Sequence, residues 1–586
     1  MKGRLELKEI KKQSFMEGAA VLVVAHLVVK VIGACFKIPL ANILQETGMA
    51  YFNRAYSLYA AIFVMATAGL PVAVSKMVSE SITKQNFAES KKILRAAIWL
   101  LTIIGFIGTA VLFFGARFFA DAVNSPGSYL SIVAIAPAIL FISVLSAFRG
   151  YFQGHSNMIP TAFSEVIEAV SKLVIGLAGA YFLMNISSEV ASAGAISGVT
   201  LGGLFALILL VFYYLKNTNH TQLTDATEAK SSKKIFIKLL TIAIPITIGA
   251  AVMSLTNVID AVMISNRLSS ITVDETLFNT LTEYFGVSAE NVRIGEKISS
   301  EAADVMFGSY SGYAMSLFNL PPSIVTSISM SIVPAISAAL AVKNYKQAQL
   351  LTESSIRITT MFALPCAVGL SLLSSPILIA LYNNSRAQNT LALLSLAIIF
   401  VCTVSVSTAI LQAAGHVFIP VRNMLIGGLF KVVSNYILIS TPQLNIGGAP
   451  ISTFFCYFII VTLNIISIIK VVKPKFNVKD FIFKPLLSVT VMGIAVFLVY
   501  NLLAFLLNCP QISLAISFTP EVQPVTPVSS LIRFKTIITL GLSIFVGIFA
   551  YICSMGLTRS FFEEDVLRSE ERRVGKECRS RWSPYH

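Results

Sequence analysis

Ionisable side chains set inside long apolar stretches are the residues of this chain that could do chemistry. Glu165, Glu168 and Lys172 lie at i, i+3 and i+7, one stripe of a helix. Counted from Pro160 at ~1.5 Å per residue, they fall ~7, ~12 and ~18 Å into that helix. Two carboxylates and an amine on one face can pass protons or hold a charged substrate. The same spacing also fits a local Glu168–Lys172 ion pair with no further task. Asn257 and Asp260 share another helical face, with Ser254 one turn below. Such a carboxylate can bind a proton or Na⁺, or it can pair with a base on another helix. Lys431 and Asn435 share a face at i, i+4. Arg54 enters its apolar stretch by about one turn, where snorkelling is the alternative to a cavity role. Arg149 and Lys76 stand at the ends of theirs, where a purely topogenic base would also sit. His26, in mid-stretch, fits a titrating group or a hydrogen-bonded helix contact. Each mid-membrane charge costs ~2.5–3.5 kcal/mol on insertion scales. Lys30, Arg54, Lys172 and Lys431 therefore argue, at ~10 kcal/mol combined, for wet or paired surroundings.

Other chemistries leave no trace. The sequence has no GxxxxGK[ST] phosphate loop, no GxSxG elbow and no HExxH zinc helix. The expectation is a non-enzyme without metal or cofactor, driven by an ion gradient (Na⁺ or H⁺), the membrane potential or consumption of its substrate. The seven cysteines stand singly, with no CxxC pair, and read as small apolar helix residues.

The elements that carry these charges are transmembrane helices. The chain of 586 residues is 55% hydrophobic and 12% charged, with a mean hydropathy of +0.78. Apolar runs of about twenty residues, each long enough for a ~30 Å hydrocarbon core, recur from end to end. The expected spans are 14–36, 50–75, 96–115, 128–148, 160–183, 190–214, 239–263, 309–340, 358–381, 388–413, 423–440, 448–469, 485–507 and 534–557. Basic residues crowd one set of ends, from Lys2, Arg4 and Lys8 through Lys91, Lys92 and Arg95 to Lys233, Lys234, Lys473 and Lys475. The opposite loops hold fewer, Lys37 and Arg117 among them. By the positive-inside rule both termini are cytoplasmic. The net charge of +15 is then an orientation signal and not a nucleic-acid footprint. Pro71, Pro137, Pro245, Pro334 and Pro365 fall inside spans, and Asn319, Pro321 and Pro322 predict an unwound, gating break in the eighth. Gly194, Gly198 and Gly202 read as a packing stripe.

The two halves echo each other at a period of about 260 residues. Gly154-His155 followed by Pro160 corresponds to Gly415-His416 followed by Pro420, Leu70-Pro71 to Val333-Pro334, and Asn86-Phe87 to Asn344-Tyr345. An even number of spans between copies makes this a parallel repeat. The expected fold class is an all-α polytopic membrane protein of about fourteen helices: two parallel six-helix repeats and a C-terminal pair, N-in and C-in. Its parts are a cytoplasmic segment 1–13, an N-lobe 14–214, a linker 215–238, a C-lobe 239–469 with a long outer loop 264–308, a helix pair 470–557 and a tail 558–567. A short amphipathic helix is expected around Thr276–Phe285, in a loop that is either plainly solvated or a lid. Residues 568–586, polar and unlike the rest, are read as a non-native tail.

Five segments carry a family resemblance: TAGLPVAVSK (67–76), RGYFQG (149–154) with Pro160-Thr161, SGYAMSLFNLP (311–321), IPVRNMLIG (419–427) and NIGGAPIS (445–452). Together they resemble the stage V sporulation protein B-like polysaccharide transporters. That family lies in the multidrug/oligosaccharidyl-lipid/polysaccharide exporter superfamily, which also holds the lipid II flippases. The resemblance spans about residues 14–555. It implies a multi-pass protein of the bacterial plasma membrane, a central cavity between two lobes and alternating access. The cargo it implies is an undecaprenyl-pyrophosphate-linked sugar, lipid II before others, with membrane lipid as the other partner and a monomer as the working unit. Under it Arg54, Arg149, Lys172 and Lys431 would bind the diphosphate, and Asp260, Asn257, Glu165 and Glu168 would couple ions. Arg54 and Arg422 depart from the less charged residues expected in relatives. The alternatives are a teichoic-acid or capsular-repeat flippase, an ion-coupled drug exporter, and a non-transporting scaffold for wall synthesis or sporulation.

Overall fold

The computed structural model describes residues 15–67, 69–84, 86–218, 232–474, 476, 483–512 and 529–558. The expected segment 1–13, the tail 568–586 and nearly all of 558–567 lie outside the described residues, as does most of the linker 215–238. Among the described residues the chain is almost wholly helical, and an antiparallel bridge between Thr272 and Lys297 is its β-type pairing.

The first ten helices are α1 Phe15–Thr67, α2 Leu70–Thr83, α3 Phe87–Phe114, α4 Ala116–Ala122, α5 Tyr129–Gly154, α6 Ile159–Leu183, α7 Ser188–Thr218, α8 Ser232–Leu268, α9 Glu275–Asn279 and α10 Ser300–Gly308. After them come α11 Met315–Phe318, α12 Leu320–Ala341, α13 Tyr345–Leu372, α14 Ser374–Tyr382, α15 Gln388–Ser395, α16 Ile398–Ala413, α17 Phe418–Ile439, α18 Gly448–Val471, α19 Lys484–Leu507 and α20 Ser530–Leu557. Nine helices among the described residues are long and apolar enough to cross a bilayer, or ten with the bent pair α15–α16 taken as one. The first of them, Val24–Thr83, covers two expected spans at once. The expected seventh, eighth and eleventh spans are occupied by α8, α12 and α17. The protein is an all-helical, multi-pass membrane protein.

Local chemistry explains the boundaries. Asn86 accepts from the Glu89 amide at 2.9 Å to cap α3, and Asn344 accepts from the Gln347 amide at 3.1 Å to cap α13. The paired Asn-aromatic motifs are thus two helix N-caps. Pro71, Pro160 and Pro485 stand in the first turns of α2, α6 and α19, where a missing N–H leaves no bond unmade. Upstream of α12 the chain passes through a π-type turn, Ser309–Ala314, and α11 before breaking at Asn319. Pro321 and Pro322 are buried in the first turn of α12.

One boundary differs from expectation. Lys37 was placed in a loop after the first span, yet α1 runs helical past it and bends only at Gln45, whose φ of 54° and ψ of −163° are non-helical. Pro39 inside α1 does not end the helix. A proline forfeits one backbone bond, and the packed apolar turn around it, with Phe36, Leu40 and Leu44 buried, outweighs that loss.

Packing groups the elements into two compact units. One holds α1–α10 with Gly428–Ala449; the other holds Leu317–Gly427, α18 from Pro450, α19 and α20. In the first, α7 packs on α5 and α6, α3 on α5, and α6 on α1. In the second, α16 packs on α12 and α13, while α19 lies on α13 and α20. Val489, Met492, Val496 and Tyr500 of α19 are buried there with Leu373, and the Tyr500 hydroxyl donates to the Pro510 carbonyl at 3.2 Å.

The segment after α8 is folded rather than merely solvated. The amphipathic stretch falls on α9 and a following π-type turn, Thr280–Tyr284, which bury Leu277, Leu281 and Tyr284 together with Val273, Phe285 and Ile298. Asp274 caps α9 by accepting from the Leu277 amide at 2.7 Å and from Thr276 Oγ1 at 2.8 Å. The backbone bond first, then the Thr276 hydroxyl, hold its carboxyl below the usual range. A depressed carboxyl stabilises the fold above its unfolded pKa and loses that contribution as pH falls through its folded pKa. Asp274→Ala is therefore expected to cost about 1 kcal/mol of local stability. Hydrogen exchange should read this as faster amide exchange over 275–285 near neutral pH. The gap between variant and wild type should close in acid; a gap of constant size across that range would contradict the cap.

Candidate functional site

The intramembrane charges singled out above gather on α1, α5, α6, α8 and the second half of α17, all within the first unit. The rotation of α6 is set by α7. A Cβ on Gly198 would lie 2.9 Å from the Lys172 carbonyl oxygen, and one on Gly202 would lie 2.8 Å from that of Glu168. The glycines let the two backbones touch, as their spacing predicts. The side chains of the Glu165–Glu168–Lys172 stripe extend instead to residues of α1 and α5.

There the local Glu168–Lys172 pair does not form. Glu168 takes Arg149 of α5, with Nη2 to Oε2 at 2.9 Å, and Arg149 Nε also donates to Ser164 Oγ at 2.9 Å. Glu165 Oε2 lies 3.0 Å from Nδ1 of His26 on α1, which donates when that nitrogen carries the proton. Lys172 is left against two rings of α1, its Nζ 5.2 Å from the centre of Phe36 and 4.8 Å from that of Tyr56. Cation–π contacts of this kind ease the burial of an ammonium but leave its N–H bonds free for an anion. Lys30 and Lys172 both lie near enough to Lys37 to act on its charge. Among the described residues no carboxylate is within ion-pair distance of Lys30, Lys37 or Lys172.

The other expected cations are spent on protein partners. Arg54 is fully buried. Its Nη1 pairs with Asp304 of α10, and its Nε and Nη2 donate to Ser265 Oγ of α8 at 3.1 and 2.6 Å. Ser125 donates to the second Asp304 oxygen at 3.1 Å, and the guanidinium lies 4.5 Å from the centre of the Phe307 ring. Lys431 of α17 meets Asp260 of α8, with Nζ to Oδ2 at 2.5 Å, and Asn435 donates to Oδ1 at 2.9 Å. The side chain of Asn257 lies outside the described residues. Asn319, Pro321 and Pro322 lie in the second unit, at the start of α12.

Sequence reasoning thus found the charges but not their sorting. Lys37 was missed because a span was ended one residue too early; its spacing from His26 and Lys30 (i, i+4, i+11) was the available signal. Asp304 was missed because it was counted as a loop acid. In the second unit two amides join helices: Asn423 donates to Asn464 at 2.9 Å, Asn464 donates to Ser407 at 3.0 Å, and Arg422 Nη2 donates to Asn423 Oδ1 at 3.1 Å.

A helical, multi-pass protein with sorted charges inside its membrane spans belongs to the transporter class. Residues 15–340 match the family described as polysaccharide biosynthesis protein, and residues 275–515 match the family described as lipid II flippase MurJ. Stage V sporulation protein B of Bacillus subtilis (strain 168) is 24% identical over 472 residues, which is 80% of this chain and 86% of that one. Lipid II flippase MurJ of the same organism is 26% identical over 516 residues, 84% of this chain and 90% of that one. A solved structure of lipid II flippase MurJ in an inward closed conformation shares the fold, with a TM-score of 0.65 and 16% identity over 94% of this chain and all of that one. The chain belongs to the polysaccharide biosynthesis protein family and is a MurJ-like and stage V sporulation protein B-like multi-pass protein of the bacterial plasma membrane. It shares its fold with a solved MATE family transporter of the MOP superfamily, at a TM-score of 0.59 and 14% identity over 78% of this chain and 98% of that one.

The Arg54 assignment is testable by stability. Arg54→Ala leaves the buried Asp304 carboxylate without its cation and is expected to cost about 3–5 kcal/mol. The thermal midpoint in detergent should fall accordingly. Arg54→Met combined with Asp304→Leu should recover most of the loss, because no charge is then stranded; a double variant as unstable as the single one would refute the pairing.

Proposed function

We propose that the protein is a flippase for a lipid-linked saccharide precursor, which it carries across the plasma membrane by alternating access. The observation that carries this reading is the set of lysines Lys30, Lys37 and Lys172, drawn from α1 and α6, none of which has a carboxylate within ion-pair distance among the described residues. Three charges left without carboxylates inside membrane helices cost ~8–10 kcal/mol in hydrocarbon, so they need water or an anionic ligand. A diphosphate answers that need with two or more negative charges and several acceptor oxygens. Phe36 and Tyr56 hold the Lys172 ammonium in place, which leaves less ordering to be done when the anion arrives.

Arg149, bound to Glu168, borders this group and supplies a further donor if Glu168 releases it. Arg54 and Lys431 are already neutralised and are assigned to structure rather than to cargo. Glu165 is the carboxylate left for proton handling, since His26 is its partner and Glu168 is committed to Arg149. The similarity to proteins named as lipid II flippases supports lipid II as the cargo within the class of lipid-linked sugars.

Reconstitution tests both levels. Liposomes holding the wild-type chain should translocate labelled lipid II, with a teichoic-acid precursor present in competition. Each lysine–phosphate contact is worth about 1.5–3 kcal/mol, so Lys172→Gln should lower transport by roughly 10–100-fold and Lys37→Gln/Lys172→Gln should lower it further. Size-exclusion profiles should stay unchanged. Full transport by the double variant removes the lysines from the mechanism. Movement of the competitor alone transfers the same site to the other cargo.

A further inference from the structure

Beside the lysines, α1 carries a ladder of aromatic rings. Phe36 lies 6.0 Å from Phe52, Phe52 6.2 Å from Tyr56, Tyr56 5.8 Å from Tyr59, and Tyr59 5.8 Å from Phe63, centre to centre. From Phe52 onward the spacing is i, i+4, i+7 and i+11, so these four rings share one helical face. Burial against neighbouring helices is the ordinary fate of such a face, and Phe36, Phe52 and Tyr59 follow it at 2%, 1% and 5% exposure. Tyr56 does not: it is 38% exposed in the middle of the same face.

The surroundings of that ring are charged. The Lys172 ammonium stands 4.8 Å from its centre. Glu168, with Arg149 bound to it, lies near enough for its charge to act on the phenol. The Tyr56 hydroxyl itself has no hydrogen-bond partner among the described residues. A tyrosine set among packed helices ordinarily spends its hydroxyl on a protein partner. This one keeps it, beside a lysine that has no carboxylate, and so offers an aromatic surface and a hydroxyl to the same ligand.

A sugar uses both. One face of a pyranose is a patch of C–H bonds, apolar and weakly positive, which lies well on the negative face of an aromatic ring. Its hydroxyls exchange hydrogen bonds with a phenol, a carboxylate or a guanidinium. An acyl chain would leave the phenol hydroxyl unused, and an inorganic anion would gain nothing from the ring. A phosphate oxygen held by Lys172 lies about 2.7–2.9 Å from Nζ. The sugar joined to that phosphate then begins about one ring's width from Tyr56.

We infer that Tyr56 is a specificity-determining residue, whose ring and hydroxyl receive the sugar carried on the diphosphate, with the Glu168–Arg149 pair as the polar edge of the same subsite. The substrate class narrows from a prenyl diphosphate to a prenyl-diphosphate-linked pyranose. This rests on the flippase reading for the diphosphate at the lysines, and adds to it a choice between a loaded and an empty carrier lipid. Lysines alone recognise only the diphosphate, which both lipids share.

Binding to the purified full chain in nanodiscs tests that choice. The probes are a short-chain lipid II and the prenyl diphosphate of the same chain length without its sugars. The quantity read is the ratio of their dissociation constants. Wild type should prefer the sugar-bearing lipid by about tenfold or more, the combined effect of a ring contact and a hydrogen bond. Tyr56→Leu should bring the ratio close to one. Tyr56→Phe keeps the ring and the seat of Lys172, and should lower the preference only by the hydroxyl's share, about 2–10-fold. Lys172→Gln should weaken both lipids and leave the ratio in place.

A wild-type protein that binds both probes equally would overturn the inference. So would a folded Tyr56→Leu protein with the wild-type ratio, which would reduce Tyr56 to a seat for Lys172. If that variant does not fold, Tyr56→Phe decides, and an unchanged ratio there overturns the subsite. The lysine reading fails on a separate observation, wild-type binding of the bare prenyl diphosphate that Lys37→Gln/Lys172→Gln leaves unchanged. Absence of binding by either probe would overturn both.

Discussion

A charge held within hydrocarbon must find an opposite charge, a ring of hydrogen bonds or water, and this requirement organises the first unit of the protein. Its cost, ~2.5–3.5 kcal/mol per group even on lenient scales, is comparable to the whole effect of a typical core substitution. Arg54, Arg149 and Lys431 each meet it with one carboxylate on another helix: Asp304, Glu168 and Asp260. Once those pairs are drawn, the lysines on α1 and α6 are the intramembrane bases of the first unit left without a carboxylate among the described residues. The candidate site is therefore defined by subtraction, and it depends on every pairing that precedes it.

The pairings also show why proximity along a helix is a weak guide to partners. Glu168 and Lys172 have the i, i+4 spacing of a helix-stabilising pair, worth only about 0.2–0.5 kcal/mol on an exposed surface. Arg149 offers Glu168 a charge-assisted hydrogen bond from a neighbouring helix, with Ser164 holding the guanidinium from a second side. That arrangement wins, and Lys172 turns to the rings of Phe36 and Tyr56. The close backbone contact of α6 with α7 underlies the outcome, because it fixes which face of α6 is turned away.

Much of the architecture could be read directly from residue patterns. Apolar runs located the helices, the two Asn-aromatic motifs marked real N-caps, and the glycine stripe of α7 marked a real helix contact. The intramembrane charges were all visible as charges. Their partners were not, because each of these ion pairs joins two different helices, consecutive for Arg149–Glu168 and far apart in sequence for Arg54–Asp304 and Lys431–Asp260, and a pattern of spacings carries no information about which helix faces which. The error at Lys37 has the same origin. A proline and a few polar residues suggest a loop, whereas burial of Phe36, Leu40 and Leu44 keeps the helix intact through Pro39.

Buried ion pairs also account for where the first packing unit ends. The internal repeat places a boundary before α8, at the basic linker, yet α8, α10 and the second half of α17 pack with α1–α7. Arg54 ties α1 to α8 and α10 through Ser265 and Asp304, and Asp260 ties α8 to α17 through Lys431 and Asn435. Within α17 the unit boundary falls between Gly427 and Gly428, one turn before Lys431. Any rearrangement that carried α10 away from α1 would strand two buried charges together, and both would need water or new partners in the same step. Lys30, Lys37 and Lys172 are under no such tie, so an anion can reach or leave them without first breaking an ion pair. The same rule that locks the arginines in place leaves these lysines available.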